Sequence, residues 1–126
     1  MENKRYLKLG EVTAYKLAFH LSNYVWDIIV QWDWFAKKIV GAQFVEAVDS
    51  ISANIAEGFG RYHKKEKIRF YHFSQGSTKE SFDWNEKSKY RKLMAEDQYQ
   101  HIFTELEKLP KEINQLIKNT KENLTY

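Results

Sequence analysis

The sequence contains no cysteine, which removes structural disulfides, cysteine-based zinc sites and thiol catalysis at once. Proline occurs once and glycine five times in 126 residues, too few for a fold of many short strands joined by turns. No apolar run approaches the roughly 20 residues that a membrane span requires. Residues 1–10 are charged and lack the apolar stretch of a secretory signal, so a cytoplasmic protein is expected. What is abundant is aromatic: four tryptophans, eight tyrosines and eight phenylalanines. Hydrophobic residues make up 43% and charged residues 29%, an ordinary globular balance, and the length suits one domain over residues 1–126. A net charge of +3 permits an acidic partner without requiring one.

Hydrophobic spacing predicts an all-α protein. Ala14, Ala18, Leu21, Val25, Ile28 and Trp32 recur at intervals of four and three, one face of a helix over about 11–32. Phe44, Val48, Ile51, Ile55 and Phe59 repeat the pattern over about 38–59, and a glycine at Gly58 or Gly60 suits a left-handed cap there. Ile102, Leu106, Leu109, Ile113 and Leu116 mark a helix over about 95–120, with Pro110 predicting a kink or brief break. The third helix, about 64–90, is unusual. Its four-three stripe reads Phe70, Ser74, Ser77, Ser81, Trp84 and Ser88, which predicts close packing through small side chains or, alternatively, a frayed and hydrated second half. Short links make neighbouring helices antiparallel, giving an up-down-up-down four-helix bundle.

Little here points to enzymatic chemistry. No glutamate is followed by histidine three residues on, which excludes the Glu-x-x-His pairs of a di-iron bundle. His20, His63, His72 and His101 lack metal-ligand spacing and read as surface or capping residues. Gly58-Phe59-Gly60 follows no strand and lacks the third glycine of a phosphate loop, and Gln75-Gly76-Ser77 sits within a helix rather than on a nucleophile elbow. The expectation is a protein without catalytic residues, metal, cofactor or small-molecule substrate.

One stretch is far more specific: Asp49-Ser50-Ile51-Ser52-Ala53-Asn54-Ile55-Ala56-Glu57-Gly58-Phe59-Gly60-Arg61, followed by Arg69-Phe70 and Gln75-Gly76-Ser77-Thr78-Lys79-Glu80. It resembles the bacterial four-helix bundle family encoded in intervening sequences of 23S rRNA genes, and is similar to the accessory variability determinants of diversity-generating retroelements. The resemblance implies an antiparallel bundle assembled as a ring, typically a pentamer, linked to RNA or ribonucleoprotein and lacking enzymatic activity. The chain departs from the family pattern in three places. Val45 and Glu46 stand where basic residues are usual, Ser52 stands at a usual proline, and Thr78, Ser81 and Asn85 replace leucines.

The same residues have a role on physical grounds. Ser50, Asn54, Glu57 and Arg61 are spaced four, three, four and form a polar seam beside Ile51 and Ile55; Arg69, Phe73, Gly76 and Glu80 repeat that spacing on the next helix. A Glu57–Arg69 or Glu57–Arg61 ion pair, with Asn54 bonding across, would set the register of the two helices. Gly76 and Ser77 would let another backbone approach closely. Ser50, Asn54, Glu57, Gly58, Gly76, Ser77 and Glu80 are thus read as a structural motif.

Ten of the 20 basic residues collect at one end of such a bundle: Lys4, Arg5, Lys8, Arg61, Lys64, Lys65, Lys67, Arg69, Lys118 and Lys121. At the other end Lys37, Lys38, Lys87, Lys89, Arg91 and Lys92 are matched by acids. A basic patch repeated around a ring, with exposed aromatics such as Tyr62, suits phosphate-backbone binding, with Arg61, Lys64, Lys65, Lys67 and Arg69 as contacts. Two functions follow: a homo-oligomer that binds RNA or a nucleic-acid enzyme through this end, or a structural homo-oligomer with a protein partner. Aromatic content exceeds what one bundle buries, and Trp26, Trp34, Phe35 and Tyr71 are candidates for a subunit contact.

Overall fold

The computed structural model describes residues 7–123. Within it lie helices α1 (Thr13–Ile29), α2 (Trp34–Ala36, a single turn), α3 (Ala42–Gly60), α4 (Lys64–Tyr90) and α5 (Glu96–Asn123). The four long helices form a bundle in which α1 and α4 each pack on both α3 and α5. Polar contacts give the directions. Lys67 meets Phe59 and Ser74 meets Ile51, while Asn85 meets Tyr99, Gln75 meets Asn114 and Lys64 meets Lys121, so α4 runs antiparallel to both α3 and α5. None of the described helices is long and apolar enough to cross a membrane.

The predicted stripes form the core. Phe44, Val48, Ile51 and Ile55 of α3 and Ile102, Leu106, Leu109 and Ile113 of α5 are buried, facing Ala14, Ala18, Leu21, Val25 and Ile28 of α1. Trp32, Phe59 and Leu116, at the ends of their stripes, are only partly buried. Pro110 interrupts nothing: α5 is one helix, with the proline on its exposed side and Leu109 beneath it. The missing N–H removes one backbone hydrogen bond, while the flanking leucine and isoleucine stripe holds the helix to the core.

Two helix ends differ from expectation. α3 stops at Gly60 without a left-handed glycine; Arg61 is the cap and is extended (φ −77°, ψ 152°). The left-handed position lies instead at the end of α4, where Lys92 has φ 59°. There the Leu93 N–H donates to Ser88 O (2.9 Å) and the Lys92 N–H to Lys89 O (3.0 Å), a Schellman closure with lysine in the usual glycine place. The link from α1 to α3 is also more structured than expected. Asp33 caps α2 by accepting from the Ala36 N–H (3.1 Å), and a π-helical turn over Lys37–Gly41 leads into α3.

α4 is helical throughout, and its second half is packed rather than frayed. Its buried stripe is Tyr71, Ser74, Thr78, Ser81, Asn85 and Ser88, so Phe70, Ser77 and Trp84 lie off it. Ser74 Oγ donates across to Ile51 O (2.8 Å); Thr78 and Ser81 donate back to their own helix at Ser74 O and Ser77 O. Asn85 Nδ2 reaches Tyr99 O (3.2 Å), but Asn85 Oδ1 and Ser88 Oγ are buried without a hydrogen-bond partner.

Candidate nucleic-acid interface

The polar seam on α3 lies on a partly exposed face and closes on itself. Ser50 Oγ donates to Glu46 O (2.7 Å) and Asn54 Nδ2 to Ser50 O (2.8 Å), both within the helix. Arg61 Nε pairs with Glu57 one turn earlier (3.1 Å), with both side chains about half exposed. Arg69 pairs with Glu66 (3.4 Å), not with Glu57. Asn54 and Glu57 therefore do not set the α3–α4 register. Gly76 is exposed with open space where a Cβ would stand, so it admits no second backbone within the chain. Ser77 accepts from Ser81 through its carbonyl, and Glu80 accepts from the Trp84 indole (3.2 Å).

Gly58 and Lys67 set the register instead. A Cβ on Gly58 would lie 2.7 Å from Tyr71 Cε1 and 2.9 Å from Lys67 O, so α3 and α4 touch backbone to ring at this point. Lys67 Nζ donates to Phe59 O (2.7 Å) and approaches Gly58 O (3.5 Å), capping the end of α3. Burial lowers the Lys67 ammonium pKa. Lys67 thus ties the hairpin together, a role that sequence reasoning assigned to Glu57. Tyr71, expected at a subunit contact, is a core residue whose hydroxyl is pushed up to about 12 by burial.

Arg61, Lys65 and Arg69 are exposed, and Lys64 Nζ donates to Lys121 O (3.3 Å), which joins the α3–α4 turn to the end of α5. Lys4 and Arg5 lie outside the described residues. Aromatic rings are interleaved with these charges: the Arg61 guanidinium lies 4.7 Å from the Phe70 ring centre and that of Arg69 lies 5.4 Å from Phe73. Tyr62 is 69% exposed and Phe73 45%.

Beside this turn α4 carries an open groove of about 900 Å³ that sequence reasoning did not foresee, lined by His63, Lys64, Lys65, Glu66, Ile68, Arg69, His72 and Phe73. The available signal was the i, i+4 spacing of Arg69 and Phe73 on an exposed face. A second hollow of about 350 Å³ adjoins it through His72 and reaches Lys118 and Lys121. His72 Nδ1 and Gln75 Oε1 are 3.0 Å apart, and Gln75 Nε2 donates to Asn114 Oδ1 (2.5 Å). Among the described residues no group of three or more His, Asp or Glu side chains could hold a metal ion.

Three comparisons bear on this arrangement. The sequence profile of the family described as 23S rRNA-intervening sequence protein matches residues 10–115. No curated protein matches the chain. A crystal structure of a protein of unknown function from the S23 ribosomal protein family of Bacteroides thetaiotaomicron VPI-5482 is similar, with a TM-score of 0.73 at 16% identity over 82% of this chain and 97% of that one. At that identity the likeness shows the fold alone.

Proposed function

The chain belongs to the 23S rRNA-intervening sequence protein family, and from that membership and the cationic end of the bundle we propose a non-enzymatic, cytoplasmic homo-oligomer that binds RNA or a ribonucleoprotein. The observation that carries the reading is the Lys64–Lys121 contact. It draws the cations of the α3–α4 turn and the last turns of α5 into one patch. Such a patch neutralises phosphates without reading bases, and a ring would present it once per subunit to the same side. A pentamer is the assembly proposed.

A second reading, a scaffold for a protein partner, draws support from the opposite corner of the molecule. Trp34 (70% exposed), Phe35 (66%), Trp26 (52%) and Ile39 (49%) leave a large apolar surface there. That surface equally serves self-assembly, so it supports the oligomer in either reading. Binding of unrelated RNAs over a salt series separates the two. Affinity that falls steeply with salt supports phosphate contacts, whereas no binding at low salt leaves the protein-partner reading. Sedimentation of a single species at 15.1 kDa at micromolar concentration would remove the homo-oligomer.

A further inference from the structure

We infer that the groove on α4 receives unpaired nucleotides, so that the RNA recognised at the basic end is single-stranded; this rests on the RNA-binding reading above. A patch selective only for phosphates needs charge alone, but here an exposed aromatic ring, Phe73, stands among the charges. The half-exposed ring of Phe73 lines the groove on one side of α4 and Ile68 on another, with the imidazole of His72 between them around the helix. Lys64, Lys65 and Arg69 line it as well, and Glu66, the one acid among its described lining residues, is held by Arg69 at 3.4 Å. The groove therefore offers a nucleobase two things together: an aromatic ring for its flat face, and cations within reach of the phosphates on either side.

An A-form duplex cannot stack on such a ring, because its base faces are stacked inside the helix and only phosphates, 2′-hydroxyls and base edges face outward. An unpaired base can, since every base has a π-face and aromatic stacking tolerates any sequence. The Arg69 guanidinium lies over the Phe73 ring, 5.4 Å from its centre, so a nucleotide meets ring and cation together. The track also continues. His72 lines both this groove and the adjoining hollow, where Lys118 and Lys121 stand with one acid, Glu122, so a strand leaving the first meets a net positive charge. An exposed ring and cations thus lie together on this side of the bundle, the combination by which sequence-tolerant single-strand binders work.

The test uses the full-length protein and fluorescence anisotropy with a labelled 20-nucleotide oligouridylate, alone and annealed to oligoadenylate, in the same buffer. The single strand should bind at least about tenfold more tightly than the duplex. Phe73→Ala should lose about tenfold in affinity for the single strand and leave duplex affinity unchanged, while Phe73→Trp, which keeps a ring at the site, should retain binding. Circular dichroism and sedimentation confirm that each variant keeps its fold and assembly. Equal affinity for both RNAs, or a Phe73→Ala variant that binds the single strand normally, overturns the inference and leaves RNA binding through charge intact. Failure of the unmodified protein to bind either RNA at low salt overturns the RNA reading itself and this inference with it.

Discussion

Gly58 of α3 and Tyr71 of α4 meet so closely that a methyl group on the glycine would stand 2.7 Å from the tyrosine ring. That contact explains the glycine in the Asn54-Ile55-Ala56-Glu57-Gly58 run without any appeal to a turn. The absent side chain makes room for a buried ring, and Lys67, one helical turn before Tyr71, caps the carbonyls at the end of α3. Gly58→Ala should cost about 1–3 kcal/mol of overpacking, of which better helix propensity returns at most about 1 kcal/mol. Gly76→Ala is the contrast. With nothing within 4 Å of its Cβ position, it should gain up to about 1 kcal/mol. Urea denaturation of both variants checks the pair, and a destabilised Gly76→Ala would mean that another subunit packs there.

The Glu57–Arg61 pair should matter little. It is an exposed i, i+4 pair, and Glu57→Ala should change stability by under about 1 kcal/mol. A loss of several kcal/mol would show that the pair is buried in an assembled ring.

The sequence carried more of the scaffold than of the contacts. α1, α3 and α5 were legible because Leu21, Ile51 and Leu106 belong to apolar stripes whose period is that of a helix. α4 runs over Lys64–Tyr90 as expected, yet its buried face was read one position out of register at Phe70, Ser77 and Trp84 in place of Tyr71, Thr78 and Asn85. Serine, threonine and asparagine carry no hydrophobic period, so the four-three spacing finds Ser74, Ser81 and Ser88 but gives no signal that separates Ser77 from Thr78. The basic end was legible because charge clusters along the chain near the α3–α4 turn. The capping role of Lys67 was not legible because its two carbonyl acceptors are backbone atoms, to which a sequence motif gives no identity.

Within that polar stripe the hydroxyls are not equivalent. Ser74 donates across the helix interface to Ile51 O, whereas Ser88 Oγ is buried with no partner. Ser74→Ala should cost about 1 kcal/mol, while Ser88→Ala should gain about as much by removing a desolvated hydroxyl. Thermal unfolding should show shifts of a few degrees in opposite directions.

Stability should also fall at high pH. Burial raises the Tyr71 hydroxyl to about 12, and hydrogen bonding to Glu86, with burial, raises Tyr99 to about 12. An unfolded tyrosine ionises near pH 10, so between about pH 10 and 12 the folded chain binds more protons and rising pH favours unfolding. The contribution is complete below pH 10 and lost through 12. Urea midpoints at pH 8, 10 and 11.5 should decline over the last interval, less so in Tyr71→Phe.

The central claim is that RNA is held by the basic end, and paired charge reversals test it most directly. One variant reverses Arg61, Lys64, Lys65 and Arg69, sparing Lys67 because it caps α3; the other reverses Lys87, Lys89, Arg91 and Lys92. Both are assayed by anisotropy on labelled RNA across a salt series after their assembly is verified. The first should lose affinity for all RNA sequences alike and show a shallower salt slope, by about one unit for each phosphate contact removed. The second should change far less. Equal losses from the two variants would contradict the account, since they would mean diffuse attraction with no site.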